Sequence, residues 1–136
     1  MRPFTVVIPT RNRPEALAAC LHSFCWLDYP ADAWELIVVN DGGAGSFTAV
    51  SAHLQQSLPL QLIDAPQAGP AAARNRGAAA ARFDYLAFTD DDCRVTPDWL
   101  HQFDAGFAKT GCDVLGGSWR NPQPDNSAMR AAQFLI

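Results

Sequence analysis

Three consecutive carboxylates, Asp90, Asp91 and Asp92, follow an apolar run in the stretch DYLAFTDDDCRVTPDWL, Asp84 to Leu100. Two unit charges 4 Å apart repel by about 1 kcal/mol even in bulk water, so such a triplet is either a well-solvated turn or a place where positive charge gathers. Hard oxygen ligands of this kind suit magnesium or manganese, which take one or two carboxylates and complete their shell with substrate phosphates. A bound dication would offset the repulsion. Three further polar clusters invite the same question: Thr10-Arg11-Asn12-Arg13, Asn40-Asp41-Gly42-Gly43, and Gly69 to Arg76 with Arg74 inside it. Arginines near a helix start offer charge-assisted contacts to a diphosphate. A carboxylate such as Asp41 accepts hydrogen bonds from a nucleobase or a ribose. Each cluster also has a bland reading: an Asp-Gly turn is usually only a turn, and arginines on an alanine-rich helix are commonly solvated.

The elements around these clusters decide between the readings. FTVVIP (Phe4–Pro9) is a continuous, β-branched apolar run, which suits a strand buried on both faces, and WELIVVN (Trp34–Asn40) is a second strand. LQLIDA (Leu60–Ala65) and Tyr85–Thr89 are a third and a fourth strand, and CDVLGGS, centred on Val114–Leu115, a fifth. Between them lie helical segments. RPEALAACLHSFCWL carries Pro14 in its first turn and Leu17, Leu21, Phe24 and Cys25 on one stripe. A weaker helix is expected over about Phe47–Gln56. GPAAARNRGAAAARF starts near Pro70, and Gly77 in its interior is about 1 kcal/mol worse than alanine, which implies a close approach there. The last helix is expected from Thr96 as N-cap, with Pro97 at its first position, to about Lys109.

Strand–helix alternation at this spacing predicts a doubly wound α/β domain with a mostly parallel sheet and helices on both faces. In such sheets ligands bind beyond the carboxyl ends of the strands. The alternation therefore places all four polar clusters on one edge, and their convergence strengthens the functional reading of each. No GxGxxG follows the first strand and no GxxxxGK[ST] occurs, which excludes a standard dinucleotide site and a P-loop.

Composition narrows the classes further. The 136 residues are 49% apolar and 18% charged, as expected for one globular domain, and the net charge of -4 with no basic run argues against a nucleic-acid partner. No apolar stretch approaches the roughly 20 residues that cross a bilayer, and the short run ending at Pro9 is too brief for a signal peptide. Cys20, Cys25, Cys93 and Cys112 form no CxxC pair and share no metal-ligand spacing with His22, His53 or His101, so free thiols in a reducing cytoplasm are expected. The terminal NPQPDNSAMRAAQFLI, a proline-rich turn running into apolar residues, reads as a domain that continues beyond Ile136.

The motifs VVIPTRNRPEALAACLHSF, WELIVVNDGG, GPAAARNRGAAAA and YLAFTDDDCRVTPDWL, in that order and spacing, resemble the nucleotide-sugar-binding half of a family-2 glycosyltransferase. The resemblance runs over nearly the whole chain. It implies the glycosyltransferase A fold and transfer of a sugar from a nucleoside-diphosphate donor, UDP-linked, with inversion at the anomeric carbon. It further implies manganese or magnesium as cofactor and an acceptor that the sequence does not name. By the same resemblance Thr10 lies beside the uridine, Asp41 bonds the uracil, Arg74 lies near the nucleotide, Asp91 faces the ribose and donor sugar, and Asp92 holds the metal. Pro9, Arg11, Asn12 and Asp90 complete the donor-binding set. The family has two acids after the second strand where this chain has Asn40-Asp41, so nucleobase preference is the looser inference. The catalytic base and the acceptor half of the family are expected beyond Ile136, and the cytoplasmic location extends to the inner membrane face if the whole protein has an anchor.

Two other readings compete. A nucleotidyltransferase of related fold would want a glycine-rich basic loop after the first strand, and PTRNRPEAL has no glycine. A noncatalytic nucleotide-binding module, such as a receiver-like acidic pocket, would want a lysine at the end of its last strand, which LGGSW lacks.

Overall fold

The seven residues FTVVIPT form a strand, β1 (Phe4–Thr10), in which every side chain is buried. Such a run is stable only with cover on both faces and neighbours on both edges. The computed structural model, which describes residues 1–44 and 52–118, supplies both. After β1 come α1 (Pro14–Phe24), β2 (Trp34–Asp41), β3 (Leu60–Ala65), α2 (Pro70–Ala79), β4 (Tyr85–Phe88) and α3 (Trp99–Thr110). The sheet order is β3-β2-β1-β4, and all three pairings are parallel.

A proline in a central strand normally breaks a ladder. Pro9 does not, because β4 ends its pairing at Val7 and Phe88. The Val7 carbonyl, on the side that faces β4, accepts the Thr89 N–H at 3.3 Å. Two residues on, the missing proline N–H points to that same side, where β4 has already stopped.

The faces separate by the period-2 rule. Phe4, Val6, Ile8, Leu36 and Val38 meet Leu17, Cys20, Leu21 and Phe24 of α1, with Leu100, Phe103 and Phe107 of α3. On the other face Ile37, Val39 and Ala65 pack on Ala73 of α2. Helices thus cover both faces of the sheet, as expected from the alternation.

The contact at Gly77 is tight enough to test. A Cβ there would overlap Val7 Cγ1 and lie 3.3 Å from Val39 Cγ2. Gly77→Ala gains about 1 kcal/mol in helix propensity. Overpacking the α2–sheet contact costs about 1–3 kcal/mol. A net loss of roughly 1 kcal/mol is expected, read as a lower urea midpoint at unchanged slope. A raised midpoint would show that α2 can lift off the sheet without loss.

Three expectations need correction. Cys20, not Cys25, completes the buried stripe of α1. The helix ends at Phe24, and the Cys25 N–H turns back to the His22 carbonyl at 3.2 Å, which leaves the Cys25 side chain exposed. The last helix starts two residues late. Asp98 is its N-cap, because Thr96 and Pro97 are used in a preceding turn where Thr96 Oγ1 donates to Asp98 Oδ1 at 2.8 Å.

No strand forms at Val114–Leu115. Gly111 closes α3 in the left-handed region, at φ 61°, and the chain folds back along that helix. Leu115 lies against Gly106, while Val114 is exposed. The Leu115 side chain thus finds its cover on α3 and not in the sheet. The helix expected over Phe47–Gln56 is helical at residues 52–54, and its first part lies outside the described residues. The apolar segment ending at Ile136 lies outside them as well.

The edge of the sheet away from the polar clusters is pinned by its own polar contacts. Arg2 donates to Asp104 Oδ1 at 2.8 Å. Buried Thr5 donates to Glu35 at 2.6 Å and accepts the Phe83 N–H at 3.2 Å, so it is not left unsatisfied.

Candidate functional site

Parallel pairing brings the carboxyl ends of the strands to one edge. Thr10 ends β1 in register with Asn40 of β2, and Asn40 is in register with Asp64 of β3. Beyond β4 the chain turns through Asp90, whose carbonyl accepts the Cys93 N–H at 3.1 Å. All four polar clusters meet here.

The three aspartates are partnered, each differently. Asp91 is buried, with Oδ2 accepting from Thr10 Oγ1 at 2.8 Å. Its Oδ1 lies 3.3 Å from Arg13 Nη1, and the same nitrogen is 3.3 Å from Asp92 Oδ2. Asp90 is paired with Arg74 from α2. Two guanidinium groups and one hydroxyl therefore answer the repulsion that the sequence alone left open. Among the described residues no three His, Cys, Asp or Glu side chains converge as a metal cage. Asp92 and Asp90 are the outward members, with side chains 58% and 55% exposed against 8% for Asp91.

Beneath the acidic turn, Cys20 Sγ lies 3.5 Å from the Asp90 carbonyl. Burial, with Cys93 and the nearby carboxylates adding to it, pushes the Cys20 thiol up to about 12. It stays a neutral thiol at physiological pH and holds the turn against α1 without acting as a nucleophile.

Asp41 is also buried. Its Oδ1 accepts the Ala68 N–H at 2.7 Å, and Oδ2 accepts the Gly69 N–H at 3.0 Å. The carboxylate thus fixes the entry to α2, where Gly69 sits at φ 93°. A carboxylate has about four lone-pair sites, so capacity remains for a further donor. Asn40 closes its own loop by donating to the Gly43 carbonyl at 3.0 Å and to Asp64 at 2.8 Å. Arg11 donates to Gln67 at 2.8 Å, which ties the loop after β1 to the loop after β3. Asn12 holds φ at 53°, a conformation in which side chains are uncommon, and its backbone lies against Gly43.

Of the residues singled out in the sequence, Pro9, Thr10, Arg11, Asn12, Asp41, Arg74 and Asp90 to Asp92 all lie at this edge. Asp91 and Asp41 are the interior pair, while Asp90 and Asp92 are exposed. Gln67 was not singled out in the sequence, and Arg13 was named only within the cluster after the first strand, with no role in donor binding. Arg13 stands immediately before Pro14, but nothing in local spacing links it to aspartates that follow β4.

A sequence profile described as glycosyl transferase family 2 matches residues 5–135. Glycosyltransferase AglE of Haloferax volcanii is 32% identical over 120 residues, which is 85% of this chain and 39% of the relative. The pre-mycofactocin glycosyltransferase of Mycobacterium tuberculosis is 38% identical over 103 residues, 73% of this chain and 20% of the relative. The chain thus spans well under half the length of these curated relatives. The fold is shared with Staphylococcus aureus TarS 1-349, solved in complex with UDP-GlcNAc, at TM-score 0.74 and 21% identity, covering 91% of this chain and 38% of that one. It is shared too with the mannosyltransferase PcManGT from Pyrobaculum calidifontis, solved with GDP-Man and Mn2+, at TM-score 0.77 and 23% identity, covering 91% and 37%.

Proposed function

The chain belongs to glycosyl transferase family 2, and on that premise we propose that it is the donor-binding part of an inverting, metal-dependent glycosyltransferase. The donor is a nucleoside-diphosphate sugar, UDP-linked in this reading. The carrying observation is the buried Thr10–Asp91 hydrogen bond, which locks the end of β1 to the acidic turn and leaves Asp92 outward on the same edge as Asp41. The donor shared by the two solved relatives is a nucleoside-diphosphate sugar, with different bases.

In this reading Asp41 and Thr10 receive the base and ribose, with Pro9, Arg11 and Asn12 walling that side. Asp91, held from below by Thr10, faces the ribose and donor sugar, and Asp90 with Arg74 flanks the nucleotide. Asp92 suits a manganese or magnesium ion of the kind that takes one or two carboxylates, since its side chain is 58% exposed and its Oδ1 meets the Cys93 thiol only at a long 3.8 Å. Such an ion, when bound, neutralises charge on the leaving diphosphate. The chain's own contribution is to bind and orient the donor.

The acceptor, a saccharide, lipid or protein, and the base that activates its hydroxyl belong to parts of the protein outside these residues. The four cysteines are unpaired thiols, which accords with a cytoplasmic location, at the inner face of a membrane if the protein carries an anchor elsewhere. No described helix is long and apolar enough to cross a membrane.

Calorimetry with UDP and with pyrophosphate, both in manganese, tests the assignment through Asp41→Ala. A hydrogen bond from the base to a charged acceptor is worth about 1.5–3 kcal/mol, so UDP is expected to weaken roughly 10- to 100-fold. Pyrophosphate is expected to weaken far less. Equal weakening of both ligands would reduce Asp41 to its role of fixing the backbone at Ala68 and Gly69.

A further inference from the structure

Arg13 presents one nitrogen, Nη1, at 3.3 Å from both Asp91 Oδ1 and Asp92 Oδ2. These distances exceed the roughly 2.7–2.9 Å of a tight charge-assisted bond, so the guanidinium is shared between two acids and gripped by neither. Its backbone is fixed, because the Arg13 carbonyl accepts the Leu17 N–H at 3.0 Å at the start of α1. Its side chain is 58% exposed and free to turn toward solvent. A single positive charge therefore stands between two carboxylates, one of them buried, at the place where a cation held by Asp92 would also stand.

We infer that Arg13 is an internal counter-cation of the acidic turn, and that it makes metal binding conditional on the diphosphate. The inference rests on the proposed metal role of Asp92. The reasoning is electrostatic. A dication entering beside the guanidinium is repelled by it over a few ångströms, which opposes binding of the ion alone. A diphosphate carries the negative charge that both cations need. It draws the guanidinium off the carboxylates, as arginine forks favour phosphate oxygens, and vacates the position for the ion. The two ligands then help each other, and by linkage each raises the other's affinity by the same factor.

The test measures Mn2+ alone, UDP alone, and each in the presence of the other, by calorimetry on the chain and on Arg13→Gln, Arg13→Met and Arg13→Lys. Exposure of the side chain makes all three compatible with the fold, and a thermal melt checks this for each. In the parent, Mn2+ alone is expected to bind weakly, and saturating UDP to tighten it 10-fold or more. Both neutral variants should bind Mn2+ alone about 10-fold tighter than the parent and lose most of the UDP–Mn2+ coupling. Arg13→Lys, which keeps the charge, should stay close to the parent. Unchanged or weaker Mn2+ binding in the neutral variants, or a lysine variant that behaves like them, would overturn the inference while leaving donor binding intact. Absence of any Mn2+-dependent UDP binding in the parent would overturn both this inference and the reading beneath it.

Discussion

Asp92→Ala is expected to remove manganese-dependent UDP binding and to leave the fold intact. Asp92 is an outward carboxylate of the acidic turn, and among the described residues its ion pair is with the shared guanidinium of Arg13. An ion that uses one or two protein carboxylates loses its main anchor with this side chain. Asp91 is a poor replacement, because it is buried and its Oδ2 accepts from Thr10. The fold has little at stake. The lost ion pair is solvent-exposed, a class worth about 0–1 kcal/mol, and its removal also relieves repulsion from Asp90 and Asp91. The expected result is a urea midpoint close to the parent's. UDP affinity should be the same with and without manganese, at the parent's metal-free level. A mutant that binds UDP with manganese as tightly as the parent would refute the metal role.

Residues 1–136 by themselves are expected to bind donor and to transfer no sugar. Inverting transfer needs a base within hydrogen-bond reach of the acceptor hydroxyl and a surface that holds the acceptor. Four further acids, Asp98, Asp104, Asp113 and Asp125, have poor claims to that work. Asp98 accepts from Thr96 and from Gln102 at the start of α3, and these bonds hold its carboxyl below the usual range. Asp104 is tied to Arg2 at the other end of the sheet. Asp113 lies on the exposed stretch after α3, and Asp125 falls outside the described residues. A positioned base contributes about 10²–10⁴-fold, and acceptor positioning adds to that. Transfer is therefore expected at under about 1% of the rate of a family member that carries its own base and acceptor site, measured with that enzyme's donor and acceptor. Transfer at a comparable rate would place both base and acceptor site within these residues.

The strands of the sheet centre were legible because their burial is two-sided. Val6–Pro9 and Leu36–Val39 are apolar without alternation, and such runs leave few options besides a central parallel strand. Gly77 was legible for a related reason: a glycine that weakens a helix signals a surface too close for a side chain, and Val7 proved to be that surface. The edge that carries the site also followed from the sequence, since strand–helix alternation puts every strand's carboxyl end on the same side.

What local pattern could not supply was the partner of each element. CDVLGGS has the residue types of a strand, yet Leu115 found its apolar cover on α3, and no feature of the segment itself distinguishes the two covers. The same limit governed the charges. Spacing brought three aspartates together and left their counter-charge undefined. The sheet order β3-β2-β1-β4 placed β1 beside β4, so that Thr10 and Arg13 reached Asp91 and Asp92, while α2 carried Arg74 to Asp90. Asp41 likewise turned inward to the amides of Ala68 and Gly69. Electrostatic and hydrogen-bond energies fall off within a few ångströms, and which residues come that close is decided by the order in which strands pair, a property of the whole chain and of no segment within it.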